Sequence, residues 1–202
     1  FLYQNLQIQN NLIHGSFLSG VKKLIFLGSS CIYPRNAKQP IKEEYLLQSP
    51  LEYTNEPYAL AKISGVKLCE NYNLQHKTNY TCLMPCNLYG PKDNYDLENS
   101  HFLPALIKKF HHAKVTNKKK VYLWGNGKSK RELMHVNDLA SACMHFLNIN
   151  IDLINIGSGE EYTISQYAKK ISKLVNFKGE IVYQDQKLNG TPRKILDSLK
   201  AK

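Results

Sequence analysis

The sequence predicts an α/β fold with helices over both faces of a parallel sheet, and three observations support this. Short apolar runs that read as buried strands alternate with longer segments of helical periodicity. The run at 21–28, with Leu24-Ile25-Phe26-Leu27 at its centre, ends in Gly28-Ser29-Ser30, small residues where an open α/β sheet places its ligand crevice. A helix start follows at Pro57, and Tyr58 and Lys62 stand one turn apart on one face of that helix.

Taken in order, residues 1–20 carry Leu2, Leu6, Ile13 and Phe17 at helical spacing, and Gly15 and Gly20 weaken and end the run. The strand at 21–28 leads into a polar, proline-containing loop over 36–56 that holds Glu43 and Glu44. The helix from 57 to about 75 includes Gly65, which permits close packing against a neighbour. Residues 79–86 read as a buried strand and 87–100 as a turn-rich loop. Phe102, Leu103, Leu106, Ile107 and Phe110 form the wide apolar stripe of a helix. Val121–Trp124 is a short strand and Gly125–Ser129 a turn. Val136–Leu147 is a helix capped by Asn137 or Asp138. Thr163-Ile164-Ser165-Gln166 fits a capping box for a helix to about Val175, and Ile181-Val182-Tyr183 is the last strand. Ile154-Asn155-Ile156-Gly157-Ser158-Gly159 imitates a phosphate-binding turn, but Tyr162 occupies the third glycine position. A tight turn after a late strand accounts for it better.

Composition narrows the class. With 202 residues and 43% hydrophobic content, the chain is long enough for a sizeable core. No apolar run approaches the ~20 residues of a membrane span, and no secretory signal is visible. The five cysteines are odd in number and scattered, which argues for reduced thiols and a cytoplasmic location. Cys82 and Cys86 lack a second ligand pair, so no metal is expected, and the Asn79-Tyr80-Thr81 sequon is read as chance. The net charge of +11 suits either nucleic-acid binding or a lysine-rich surface with an anion pocket. The spread of lysines along the chain favours the second, with neither nucleic acid nor membrane as partner.

Tyr58 and Lys62 carry the chemistry. An ammonium near a phenol favours the phenolate, so the phenol exchanges protons with a substrate oxygen near neutral pH, and Ser29 adds a hydrogen bond to that oxygen. Spacing alone also fits an ordinary surface pair. A serine at a strand end followed by Tyr-x-x-x-Lys resembles the catalytic set of the short-chain dehydrogenase/reductase superfamily. Five blocks narrow the resemblance: Gly28-Ser29-Ser30-Cys31-Ile32-Tyr33-Pro34, Thr54-Asn55-Glu56-Pro57-Tyr58-Ala59, Asn87-Leu88-Tyr89-Gly90-Pro91, Asn99-Ser100-His101 and Gly190-Thr191-Pro192-Arg193-Lys194. In this order they resemble the GDP-L-fucose synthase family, across nearly the whole chain.

That resemblance implies conversion of GDP-4-keto-6-deoxy-D-mannose by 3,5-epimerisation and 4-keto reduction with NADPH. It implies catalytic roles for Ser29, Cys31, Tyr58, Lys62 and His101. NADP(H) contacts are expected at Leu27, Gly28, Ser29, Ser30, Tyr58, Lys62, Pro85, Cys86, Asn87, Leu88 and His101. The GDP-sugar is expected at Asn87, Lys109, Trp124, Arg131 and Lys194. Cys31 and His101 would be the acid and base of epimerisation, in an order left open. A small buried thiol and a helix-cap histidine are their plainer readings, as surface charge is for Lys194 and a core position for Trp124. The family's glycine-rich turn and first three strands lie upstream of residue 22, so the sheet is expected to be an incomplete doubly wound, Rossmann-type one. The NADP-binding half is expected over 1–91 and 133–158, and a smaller α/β substrate domain over 92–132 and 159–202. The fragment alone is expected to be inactive, and the full-length protein a homodimer. Lys109 stands where the family has arginine, Asn137 replaces an aspartate, and the family's C-terminal helices are missing. Another nucleotide-sugar epimerase or dehydratase of the extended short-chain type, or a non-catalytic basic binding fragment, stays open.

Overall fold

In the computed structural model, which describes residues 1–97, 100–184 and 191–202, helices and strands alternate along the chain. The helices are α1 (Leu2–Leu18), α2 (Glu56–His76), α3 (Phe102–Val115), α4 (Val136–Phe146) and α5 (Ile164–Leu174). The strands are β1 (Lys23–Leu27), β2 (Asn79–Pro85), β3 (Asn87–Tyr89), β4 (Lys120–Trp124), β5 (Lys130–His135), β6 (Leu153–Ile156), β7 (Glu161–Thr163), β8 (Glu180–Gln184) and β9 (Arg193–Lys194). Two units divide them: Phe1–Leu88, Leu133–Gly159 and Ile195–Lys202 form the first, and Tyr89–Glu132 with Glu160–Lys194 the second.

The first unit is built on a parallel sheet in the order β1-β2-β6. Lys23 to Leu27 pair in register with Asn79 to Leu83, and Cys82 to Pro85 with Leu153 to Ile156. β2 is buried at every position from Tyr80 to Pro85, the mark of a strand covered on both faces. A sheet that is all parallel in this way needs crossover helices, and α2 supplies one between β1 and β2. Ile63, Val66 and Cys69 of α2 pack with Ile13 of α1 and with Tyr80, Leu83, Met84 and Ile154 of the sheet in one core. The last eight residues belong to this unit. Leu196 bridges Ile41, and the Ile41 and Asp197 N–H groups donate to Ile195 and Ile41 carbonyls at 2.8 Å each.

Two contacts bring α2 close to its neighbours. Gln9 Nε2 donates to the Ala61 carbonyl at 2.6 Å across the α1–α2 interface. A Cβ added to Gly65 would lie 2.4 Å from Phe26 Cζ and 3.0 Å from Gln9 Oε1. Glycine therefore sits here for close approach, and the helix–sheet distance depends on it.

In the second unit β4 and β8 pair in parallel, with the Lys120–Glu180 ion pair at 3.0 Å on their first rung. Lys130–Glu132 of β5 pair antiparallel with β7, and Lys130 and Arg131 pair in parallel with β9. Phe110 of α3 meets Phe177 edge-on, centroids 5.6 Å apart. The α5 capping box forms as its sequence pattern expects: Thr163 Oγ1 accepts from Gln166 N–H at 3.1 Å, and Gln166 Oε1 accepts from Thr163 N–H at 2.7 Å.

The sequence misses β3, β5, β7 and β9, short segments stabilised by partners far along the chain. The cap of α4 also differs from expectation. His135, not Asn137 or Asp138, occupies that position, and its Nδ1 accepts from the Asn137 N–H at 3.2 Å. The His135 backbone is extended while Val136 is already helical, which leaves Asn137 inside the first turn. The turn after β6 runs into β7 rather than directly into a helix, and Gly159 takes a positive φ of 78° in it.

Gly65→Ala sets a helix-propensity gain of about 1 kcal/mol against an overpacking cost of about 1–3 kcal/mol. The expected outcome in chemical denaturation is a net loss of up to about 2 kcal/mol. That loss shrinks in a Phe26→Leu background. A Gly65→Ala protein as stable as its parent shows that Phe26 yields freely.

Candidate active site

The C-terminal ends of β1, β2 and β6 share one edge of the parallel sheet, which places residues 27–31, 85–88 and 157–159 together. β1 stops because Gly28 and Ser29 turn the chain. Gly28 N–H still donates to the Leu83 carbonyl at 2.8 Å. Ser29, extended at φ −166°, caps a single helical turn over Ser30–Ile32, its Oγ accepting from the Cys31 N–H at 3.1 Å. Buried Ile32 and Tyr33 anchor that turn.

Tyr33 Oη donates to Asn155 Oδ1 at 2.7 Å. Asn155 is fully buried, and its Nδ2 donates to the Ile41 and Asp197 carbonyls at 2.9 and 3.2 Å. Its backbone N–H donates to Glu43 Oε1 at 3.0 Å, and Lys200 lies 3.3 Å from Glu43 Oε2. Burial, reinforced by the Glu43 charge, pushes the Tyr33 phenol far above its ordinary range. It stays a neutral donor. Residues 154–159, which resemble a phosphate loop in sequence, thus contribute a buried asparagine that holds the chain beyond β1.

α2 brings the other half of the set. Pro57 lies in its first turn, where the missing N–H costs nothing. Lys62 Nζ donates to the Leu27 carbonyl at 2.8 Å and lies 5.1 Å from the centroid of the Phe26 ring. The Ser29 hydroxyl lies near enough to the Tyr58 phenol to influence its protonation, and the Phe1 ring lies 6.3 Å from the Tyr58 ring. The structure therefore gathers Ser29, Cys31, Tyr58 and Lys62 at one end of the sheet.

Their electrostatics correct one expectation. Burial pushes the Tyr58 phenol up, the Ser29 hydrogen bond opposes this, and the nearby Cys31 adds to the rise. The Lys62 ammonium, which sequence spacing assigns to lowering the phenol, donates to the Leu27 carbonyl, and burial lowers its own pKa. Tyr58 is accordingly held as a neutral acid.

Asn55 is the residue that sequence reasoning passes over. It occupies the N-cap position of α2 yet makes no side-chain cap, and its Nδ2 donates instead to the Cys31 carbonyl at 3.3 Å. An asparagine directly before a Glu-Pro-Tyr helix start looks like a cap, so only tertiary contact reveals its partner.

The remaining candidates stand in the second unit or at its border. His101 is the N-cap residue of α3 and makes no side-chain cap there; its companion Asn99, like Gly190 of the last sequence block, lies outside the described residues. Lys109 Nζ sits 5.3 Å from the Trp124 ring centroid and 3.4 Å from the Tyr122 carbonyl. Trp124 is 60% exposed, which removes the core reading. Arg131 and Lys194 are register partners across β5 and β9, and Arg131 Nη1 donates to the Lys130 and Thr191 carbonyls at 2.8 and 2.7 Å. By contrast Arg193 and Lys130 are engaged by Glu161 at 2.8 and 3.3 Å, and those hydrogen bonds, Arg193's foremost, hold the Glu161 carboxyl below its ordinary value. The second unit contains 17 of the 27 Lys and Arg residues and 8 of the 16 acidic ones, a net +9 out of +11. Among the described residues no three His, Cys, Asp or Glu side chains are grouped to hold a metal ion, and no helix is long and apolar enough to cross a membrane.

Residues 1–157 match the model of the NAD dependent epimerase/dehydratase family. The chain belongs to that family. It is 52% identical over 202 residues to a putative GDP-L-fucose synthase 2 of Arabidopsis thaliana, covering 99% of this chain and 62% of that protein. It is 48% identical over 208 residues to the GDP-L-fucose synthase of Escherichia coli K12, covering 98% of this chain and 65% of that one. The chain thus spans less than two thirds of these curated relatives. A solved structure of a GDP-mannoheptose C4 reductase from Campylobacter jejuni with NADP bound superposes at a TM-score of 0.90. It is 42% identical, covering 100% of this chain and 67% of that chain.

The raised Tyr58 pKa is directly measurable. Below the ordinary phenol pKa of about 10 the protonated side chain contributes its full share of stability, and that share is lost as pH rises past 10 towards the folded-state value. In ultraviolet titration, the difference between the parent and Tyr58→Phe should show phenolate only above pH ~10. A midpoint below that restores the Lys62-lowered phenol.

Proposed function

We propose that this chain forms the catalytic and sugar-binding part of an NADPH-dependent GDP-sugar epimerase/reductase of the GDP-L-fucose synthase kind. Its substrate is GDP-4-keto-6-deoxy-D-mannose, and its product forms by 3,5-epimerisation followed by 4-keto reduction. The observation that carries this reading is the grouping at the strand ends: Lys62 on the Leu27 carbonyl, Cys31 on the turn that Ser29 caps, and Tyr58 beside Ser29 one turn before Lys62 on α2. The sequence likeness to curated GDP-L-fucose synthases supports the same choice.

Each side chain then has a task. Ser29 and Tyr58 hydrogen-bond the C4 ketone oxygen and stabilise the enolate that forms when a neighbouring C–H loses its proton. Cys31 and His101 are the acid–base pair that removes and returns those protons. Tyr58, held neutral by burial, donates the proton that turns the ketone oxygen into a hydroxyl. Arg131 and Lys194, adjacent cations across two strands, meet the GDP diphosphate, Arg131 in the forked geometry that suits two oxygens. Trp124, exposed beside Lys109, offers a face to the nucleotide end, and Asn87 adds a sugar contact.

The donor set also fits NADPH, an ammonium and a phenol at the strand ends suiting ribose hydroxyls. Lys62 and Tyr58 would hold that ribose, and Leu27–Ser30, Pro85–Leu88 and His101 would supply the further cofactor contacts. When bound, NADPH supplies the hydride. Among the described residues none forms a glycine-rich turn between a strand and a helix, which the pyrophosphate needs. The 202-residue chain alone should therefore bind NADPH more weakly than on the order of 10 µM, and tighter saturable binding contradicts the division of labour. The longer protein is proposed to be a cytoplasmic homodimer.

A second reading, reduction without epimerisation, is favoured by the likeness to the C4 reductase. One assay separates them: NADPH oxidation with the keto-sugar in deuterated water, on the longest chain that carries these residues. The expectation is turnover with deuterium at C3 and C5. Tyr58→Phe should lower kcat by roughly 100-fold or more, and Cys31→Ser should suppress deuterium uptake more than hydride transfer. Turnover without deuterium establishes the reductase instead.

A further inference from the structure

Cys31 is gripped on both sides of its own peptide. Its N–H donates to Ser29 Oγ at 3.1 Å, and its C=O accepts from Asn55 Nδ2 at 3.3 Å. Ser29 is already in the catalytic set. Asn55 is not, and it stands three residues before Tyr58, at the N-cap of α2. Its behaviour is unusual for the position. Asparagine ranks with the best N-cap residues because its side chain satisfies an orphan N–H of the first turn. Here it leaves that N–H alone and reaches 24 residues back to the Cys31 carbonyl.

We propose that Asn55 is a positioning residue that sets the Cys31 thiol relative to the Tyr58 phenol. The inference rests on the reading of Cys31 as an acid–base group. The link is short and covalent on the helix side: Asn55 and Tyr58 lie within one turn of α2, so the amide transmits the position of the phenol to the thiol-bearing turn. The turn's far end is held as well, by Tyr33 Oη on buried Asn155. The Asn55 bond to the Cys31 carbonyl ties the middle of this three-residue turn to the start of α2. A thiol that must meet one C–H of a sugar needs its backbone fixed to a fraction of an ångström, and a single capped turn does not provide that alone.

Capping and positioning make opposite demands on this side chain, which gives a clean test. Asn55→Ser and Asn55→Asp both keep a good N-cap. Serine is too short to span to the Cys31 carbonyl, and aspartate presents an acceptor to an acceptor. Alkylation of Cys31 by iodoacetamide is followed by peptide mass spectrometry in the parent and both variants, at a pH where the rate has reached its thiolate limit. Melting temperatures are recorded alongside. Both variants are expected to melt within about 2 °C of the parent, and Cys31 to react roughly threefold faster or more as its turn opens. Unchanged Cys31 rates in both variants overturn the proposal. So does acceleration matched by equal acceleration at half-exposed Cys143, since that reports general loosening. This readout needs no turnover, so it stays separate from the enzyme reading, which fails instead if Cys31→Ser leaves deuterium uptake intact.

Discussion

The close approach of α2 to β1 is the constraint on which the site depends. Gly65 leaves no room for a side chain beside Phe26, Ala61 is fully buried against α1, and Lys62 can then reach the last carbonyl of β1. Were the helix to stand further off, Lys62 would lose that acceptor and Tyr58 would lose Ser29. The same packing that hides apolar surface therefore also fixes the phenol, and burial keeps that phenol protonated. Stability and proton chemistry share one interface.

A second theme is the use of polar side chains to hold loops where backbone pairing stops. Beyond β1 the chain has no long strand partner until β2, yet Ser29, Asn55, Tyr33 and Asn155 tie it down at successive points. Asn155 alone engages a phenol, two carbonyls and a carboxylate. Such a network costs heavily if any member is left unpaired, so it specifies one arrangement of the loop that carries Cys31. The second unit treats charge in a similar way. Glu161 absorbs Arg193 and Lys130, and Arg131, in register with Lys194, holds the Lys130 and Thr191 carbonyls.

Much of this was legible from residue order because the relevant signals are local. The buried strand at β2, the Pro57 helix start, the Thr163–Gln166 capping box and the close-packing role of Gly65 all follow from side chains within a few positions of one another. The short strands β7 and β9 and the histidine cap of α4 were not legible. A strand of two or three residues has no periodicity to read, and exists only where a distant partner offers hydrogen bonds.

By itself the sequence determined the α/β class and the family to which the chain belongs. These depend on hydrophobic period and on motif order, both properties of neighbours along the chain. Tertiary structure alone decided which way the Tyr58 phenol is shifted, what the Lys62 ammonium engages, and that Asn55 holds Cys31 instead of capping its helix. Each of those turns on burial or on a hydrogen bond between residues that sequence distance keeps apart, and no local pattern encodes how deeply a group is withdrawn from water.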